Sequence, residues 1–228
     1  MGDVYLIPAW FLGFDAAMNM LFSIVTFAIA LVAHHVYRIS AERNIRHLSA
    51  GFLLIGLSYA LWALNHLVLV GSITGEVIAF SLEGLPTWWS VTFYLHMALF
   101  VGGLATITYA TLKVRRGDIY YLLLGLSLLV IASSFKTFAT FRIVSMFLLS
   151  FIAYHSYKEY LFFRNRKTLA VCGAFVLLFV SSIMLIFAAS YSDAYVIAQL
   201  FELGAYSLLL IILLRNILKY GNKKKKPS

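Results

Sequence analysis

Residues 9–38 read AWFLGFDAAMNMLFSIVTFAIALVAHHVYR, and between Asp15 and Arg38 no Asp, Glu, Lys or Arg interrupts the run. A helix needs roughly 20 consecutive, mostly apolar residues to cross the hydrocarbon of a bilayer. This stretch supplies them. Its few polar residues, Asp15, Asn19, Ser23 and Thr26, are spaced 4, 4 and 3 apart, which places them on one face of a helix. A barrel strand would alternate polar and apolar residues instead.

The same reading extends over the whole chain. Its 228 residues are 62% hydrophobic and 12% charged, against about 45–50% and about 25% in soluble domains. Apolar runs predict seven helices at 9–37, 47–71, 87–113, 118–135, 139–162, 167–190 and 194–219. The expected fold is all-α: one seven-helix transmembrane domain over 1–220, then a basic tail at 221–228. The start, Met1–Pro8, has no basic segment and no small-residue cleavage site after the first apolar run, so the first helix is expected to stay. The single cysteine, Cys172, excludes an internal disulfide and a cysteine-based zinc site.

Charge orients the bundle. Alternate loops carry Arg38, Arg43 and Arg46, then Lys113, Arg115 and Arg116, then Lys158, Arg164, Arg166 and Lys167, then Arg215, Lys219, Lys223, Lys224, Lys225 and Lys226. Of the 18 cationic residues only Lys136 and Arg142 fall on the other side. The positive-inside rule puts the first set in the cytoplasm and the N-terminus outside, as expected of a multi-pass protein of the cell membrane. Arg115, Arg116 and Lys223–Lys226 read as topology anchors against anionic lipid. A net charge of +9 needs no nucleic acid, since no soluble basic face exists to bind one. In the outer loop at 72–86, residues 76–83 are expected to form a short interfacial helix, with Trp88 and Trp89 marking the interface.

An internal repeat emerges at the cytoplasmic ends of the first and fifth helices. Ala33-His-His35-Val-Tyr37-Arg38 matches Ala153-Tyr-His155-Ser-Tyr157-Lys158, and each copy leads through an Arg-Asn pair (Arg43-Asn44, Arg164-Asn165) into the next helix. Helices 3 and 7 share Leu99-Phe100-x-x-Gly103 and Leu200-Phe201-x-x-Gly204. Helices 1–3 and 5–7 thus read as parallel copies with helix 4 as linker, a transporter device.

This three-plus-one-plus-three order resembles the microbial rhodopsins. In that family the last helix carries an acid four residues before the retinal lysine. Here Glu202 stands four residues before Tyr206, and no lysine lies deep in a helix, so a retinal Schiff base is excluded. The order is also similar to that of the PQ-loop and SWEET transporters, whose Pro-Gln signature is missing. Both resemblances imply architecture only.

Ionisable residues inside a membrane are costly and face the bundle interior. Besides the first-helix stripe, helix 2 has Tyr59, Trp62 and His66 with Asn65 alongside, helix 3 has Trp89, Thr92 and His96, and helix 7 has Tyr195, Gln199, Glu202 and Tyr206, all at helical spacing. The predicted ligand pocket is therefore Asp15, Asn19, Trp62, Asn65, His66, Trp89, His96, Gln199, Glu202 and Tyr206, in the outer half of helices 1, 2, 3 and 7. No catalytic set is assigned. Three readings stay open. The first is a sensor, or a subunit acting through a membrane or cytoplasmic partner or a second copy of itself. The second is a small-solute transporter. The third is a haem or divalent-metal protein of redox or hydrolytic function, with Asp15, His66, His96 and Glu202 as metal candidates. In the haem version His35 and His155 would serve an inner haem. All three prolines, Pro8, Pro86 and Pro227, fall outside the predicted helices, so none breaks in mid-span as transporter helices often do.

Overall fold

The computed structural model describes residues 5–8, 11–70, 77–80, 87–112, 116–133, 137–188 and 191–223. In chain order the elements are β1 (Tyr5–Pro8), α1 (Leu12–Ser40), α2 (Arg43–Val70), β2 (Val77–Phe80), α3 (Thr87–Leu112), α4 (Gly117–Ala132), α5 (Thr137–Phe163), α6 (Arg166–Phe187) and α7 (Ser192–Lys223). Lipid offers no partner for backbone N–H and C=O groups, so each long apolar run closes its own hydrogen bonds as a helix. No proline interrupts one. Among the described residues six helices, all but α4, are long and apolar enough to cross a membrane, which makes this a helical membrane protein. With 16 residues α4 is the shortest, spanning about 24 Å at 1.5 Å per residue, short of the roughly 30 Å of hydrocarbon.

The surface is inverted relative to a soluble bundle. On α1 the polar stripe is inside: Asp15, Asn19, Ser23 and Thr26 are all buried, while Phe14 and Leu31 are more than 60% exposed, at 64% and 69%. Apolar side chains lose nothing by facing lipid, whereas polar ones need partners. Helix neighbours follow chain order, α1 on α2 on α3 and α5 on α6 on α7. Contacts of α3 with α5 and of α7 with α1 close a ring of six helices, and α4 lies against α3 and α5.

Small residues set the closest approaches. Ser23 Oγ donates to the Gly56 carbonyl at 2.9 Å, and Ser49 Oγ to that of Ala30 at 2.8 Å, both between α1 and α2. At Gly51 and Gly103 the α2 and α3 backbones run so close that an added Cβ would meet the opposite glycine carbonyl at 2.9 and 2.8 Å. The turns at the basic end are tight. Ala41 (φ 55°) and Arg164 (φ 43°) adopt the left-handed conformation, their N–H groups closing on the carbonyls of Tyr37 and Tyr160. Asn165 caps α6 through Lys167 N at 3.2 Å.

The loop at 72–86 corrects one expectation. Val77–Phe80 is not part of an interfacial helix but a strand, paired antiparallel to β1 with Tyr5 opposite Phe80 and Pro8 opposite Val77. Val, Ile and Phe are strand formers, and the partner strand comes from the N-terminal residues, far away in sequence. A lone two-stranded ribbon is marginal in water; this one also contacts α7. The anchor Arg116 is exposed and pairs with Asp118 at 3.0 Å. Arg115, Lys224, Lys225, Lys226 and the Lys223 side chain lie outside the described residues.

Candidate functional site

Three polar knots sit in the half of the bundle that carries the ribbon. The first centres on Asp15, in the opening turn of α1 and fully buried. One of its carboxylate oxygens pairs with Nδ1 of His66 on α2, itself fully buried. The other accepts from the Tyr195 hydroxyl and from Gln199 Nε2 at 2.9 Å, both on α7. Asn19 donates to the Asp15 backbone carbonyl at 2.8 Å. Asp15 thus ties α1, α2 and α7 together.

The second knot is Glu202 on α7, which accepts from Ser181 Oγ of α6 at 3.0 Å and from the Tyr59 hydroxyl of α2 at 3.2 Å. The Tyr206 hydroxyl donates onward to Tyr59 at 3.0 Å. The third is His96 on α3, whose Nδ1 lies 2.8 Å from Ser58 Oγ and 3.1 Å from the Ser58 carbonyl. A carbonyl only accepts, so Nδ1 is the protonated nitrogen in this contact. The indole of Trp62 packs against both histidines, 4.6 Å from the His66 ring and stacked 4.8 Å from that of His96.

These groups surround a small cavity of about 10 Å³, room for about one water. Its lining includes Asn19, Tyr59, Trp62, His96, Gln199 and Glu202, together with Phe100, Phe141, Leu185, Tyr195 and Arg142. Arg142, near the start of α5, holds its guanidinium over the rings of Phe138 and Phe141, 5.1 and 5.0 Å from their centroids. Its Nε is buried without a hydrogen-bond partner among the described residues. Among the described residues no ion pair joins it to Glu202 or Asp15. Beneath the cavity Phe22, Tyr59 and Tyr206 pack ring on ring, with centroids 5.2–5.7 Å apart. Below them lies an apolar core that includes Ile55, Val101, Leu104 and Ile107.

Of the residues singled out from sequence, Asn19, Trp62, His96, Gln199 and Glu202 line the cavity. Asp15 and His66 adjoin it through Gln199 and Tyr195, and Tyr206 through Tyr59. Asn65 stands apart at the α2–α3 seam, where it accepts from Thr92 at 3.1 Å. The Trp89 side chain lies outside the described residues. Asp15, His66, His96 and Glu202 do not assemble as metal ligands: among the described residues no three His, Cys, Asp or Glu side chains converge to hold an ion. His35 and His155 stand on α1 and α5, which are not a packed pair.

Sequence reasoning missed Arg142 as a site residue, counting it only as one of two cations on the outer side. The available signal was a lone arginine flanked by Phe138 and Phe141 inside an apolar run.

No family model, curated protein or solved structure matches this chain.

Proposed function

We propose that this chain is a non-retinal, opsin-like membrane protein that binds a small ligand or ion in the polar pocket and acts as a sensor or as a subunit through a partner. In this reading seven helices cross the cell membrane, with the N-terminus and the pocket outside and the Lys-rich tail in the cytoplasm. The positive-inside distribution of charge supports that orientation. Mirrored packing supports the two repeats: α1–α2–α3 and α5–α6–α7 pack in the same order, and α3–α5 and α7–α1 are equivalent closures.

The observation that carries the functional reading is the pair of opposite charges, Arg142 and Glu202, facing one cavity without meeting. A purely structural clamp would gain most by closing that pair, because unpaired charge inside a membrane is expensive. A pocket that keeps both charges available suits a ligand.

The test is thermal unfolding of the purified chain in mild detergent against a panel of inorganic ions, carboxylates, amines, amino acids and sugars. At least one class raises the unfolding midpoint of the wild type and leaves that of Glu202→Gln unchanged. If no class does so, the pocket is a packing device. The second reading, a small-solute transporter, draws on the closed six-helix ring around the site; flux of the stabilising solute into proteoliposomes separates it from a sensor.

A further inference from the structure

The chemistry of the ligand follows from how the two charges are held. Arg142 rests on Phe138 and Phe141, while Glu202 is anchored from α6 and α2 by Ser181 and Tyr59. Each charge is supported by its own neighbours rather than by the other, and both line a cavity with room for about one water. Two buried atoms of cavity-lining residues lack a hydrogen-bond partner among the described residues: Arg142 Nε, a donor, and Gln199 Oε1, an acceptor. Nearly all buried polar groups in proteins are paired, so an open donor and an open acceptor lining one cavity point to a missing partner with both functions. Tyr59, Trp62 and Phe100 add aromatic surface, and aromatic faces attract a cation.

We propose that the ligand is a small zwitterion with the carboxylate-to-ammonium spacing of an α-amino acid. Its carboxylate takes the Arg142 guanidinium, including Nε, in the paired geometry that arginine favours. Its ammonium takes Glu202 and the Gln199 carbonyl oxygen against the aromatic wall. A zwitterion adds no net charge to a membrane interior and satisfies both resident charges at once. A simple anion would leave Glu202 unmet, and a simple amine would leave Arg142 unmet. The resting cavity has room for about one water, so the ligand enters only as the lining shifts, and a side chain as small as that of glycine or alanine asks for the least movement. Stacking, with no hydrogen bond, holds the guanidinium among the described residues, so Arg142 can move aside to admit the ligand. This assignment rests on the pocket being a ligand site.

The experiment is equilibrium binding of radiolabelled glycine to the full chain in detergent, with alanine, acetate, methylamine and 4-aminobutyrate as competitors. Glycine is expected to bind saturably, with alanine competing well and the two half-molecules and the longer zwitterion poorly. Arg142→Gln and Glu202→Gln each weaken glycine by about tenfold or more, as loss of a charge-assisted contact does. Arg142→Lys restores part of the loss. In Glu202→Gln acetate competes as well as glycine, because only the carboxylate half still has a partner; this readout separates lost recognition from lost folding. Should either Gln variant fail to fold, Gln199→Ala still tests the ammonium end and weakens glycine more than acetate. Acetate binding as tightly as glycine in the wild type overturns the proposal in favour of an anion site. Absence of saturable glycine or alanine binding in the millimolar range also overturns it. If another solute class then stabilises the wild type but not Glu202→Gln, the pocket reading survives alone; if none does, both fall.

Discussion

Replacing Gly103 by alanine wedges α2 and α3 apart at their tightest point. The new Cβ stands 2.6 Å from Ile55 Cγ1, 2.8 Å from the Gly51 carbonyl oxygen and 3.1 Å from Ile55 N. Ordinary contact begins at 3.4 Å, so the carbonyl alone requires a shift of 3.4 − 2.8 = 0.6 Å. Two of the three obstacles are backbone atoms, which no rotamer change removes. Overpacking of this kind costs about 1–3 kcal/mol. Backbone contacts on both sides place Gly103 near the upper end, about 3 kcal/mol. Alanine's better helix propensity returns about 1 kcal/mol, leaving a net loss of about 2 kcal/mol. Gly125 on α4 provides the control, because its added Cβ meets nothing within 4 Å. There alanine is expected to stabilise by about 1 kcal/mol or less. Unfolding in mild detergent titrated with a denaturing one, followed by tryptophan fluorescence, measures both. The expected gap between the variants is about 3 kcal/mol. Gly51→Ala forces the same separation, with contacts of 2.6 and 2.9 Å. The double variant should therefore cost less than the sum of the singles, because the helices need part only once. If Gly103→Ala is as stable as Gly125→Ala, the close α2–α3 approach is wrong. The Ser58–His96 bond across that seam would then lose its geometric basis.

Three further outcomes test other parts of the structure. Asp15→Asn leaves buried His66 without its ionic partner and is expected to cost about 3 kcal/mol; a double-mutant cycle with His66→Gln should show the two losses to be strongly non-additive, and simple additivity would refute the pairing. Ala41→Gly relieves a left-handed backbone at the α1–α2 turn and should stabilise by about 1 kcal/mol; a loss of stability in the same unfolding assay would contradict that conformation. With Cys172→Ser as background, a cysteine at exposed Arg116 should react with an impermeant thiol reagent only from the cytoplasmic side, and one at exposed Tyr191 only from outside; the reverse pattern would invert the proposed topology.

The predicted helices at 47–71 and 87–113 fell close to the observed Arg43–Val70 and Thr87–Leu112, because an apolar run is a local property that lipid converts directly into a helix. The inward stripes were legible for the same reason. Asp15, Asn19, His66, His96 and Glu202 are buried, since polar side chains in a membrane have nowhere else to go. What the sequence by itself determined, then, is a membrane-embedded helical chain with a known inner face on α1, α2, α3 and α7. Neighbourhood was left to the tertiary structure. The pairing of β1 with β2 joins Tyr5 with Phe80, 80 − 5 = 75 positions apart, and no local pattern encodes that distance. Periodicity likewise left open that the Trp62 indole packs against both His66 and His96. Arg142 is the sharpest case. By charge distribution it counted as an outer-side cation, but helix packing brings it to the cavity that Glu202 also lines. Helical spacing says which face of its own helix a residue occupies, and only the packing of helix against helix says what that face meets.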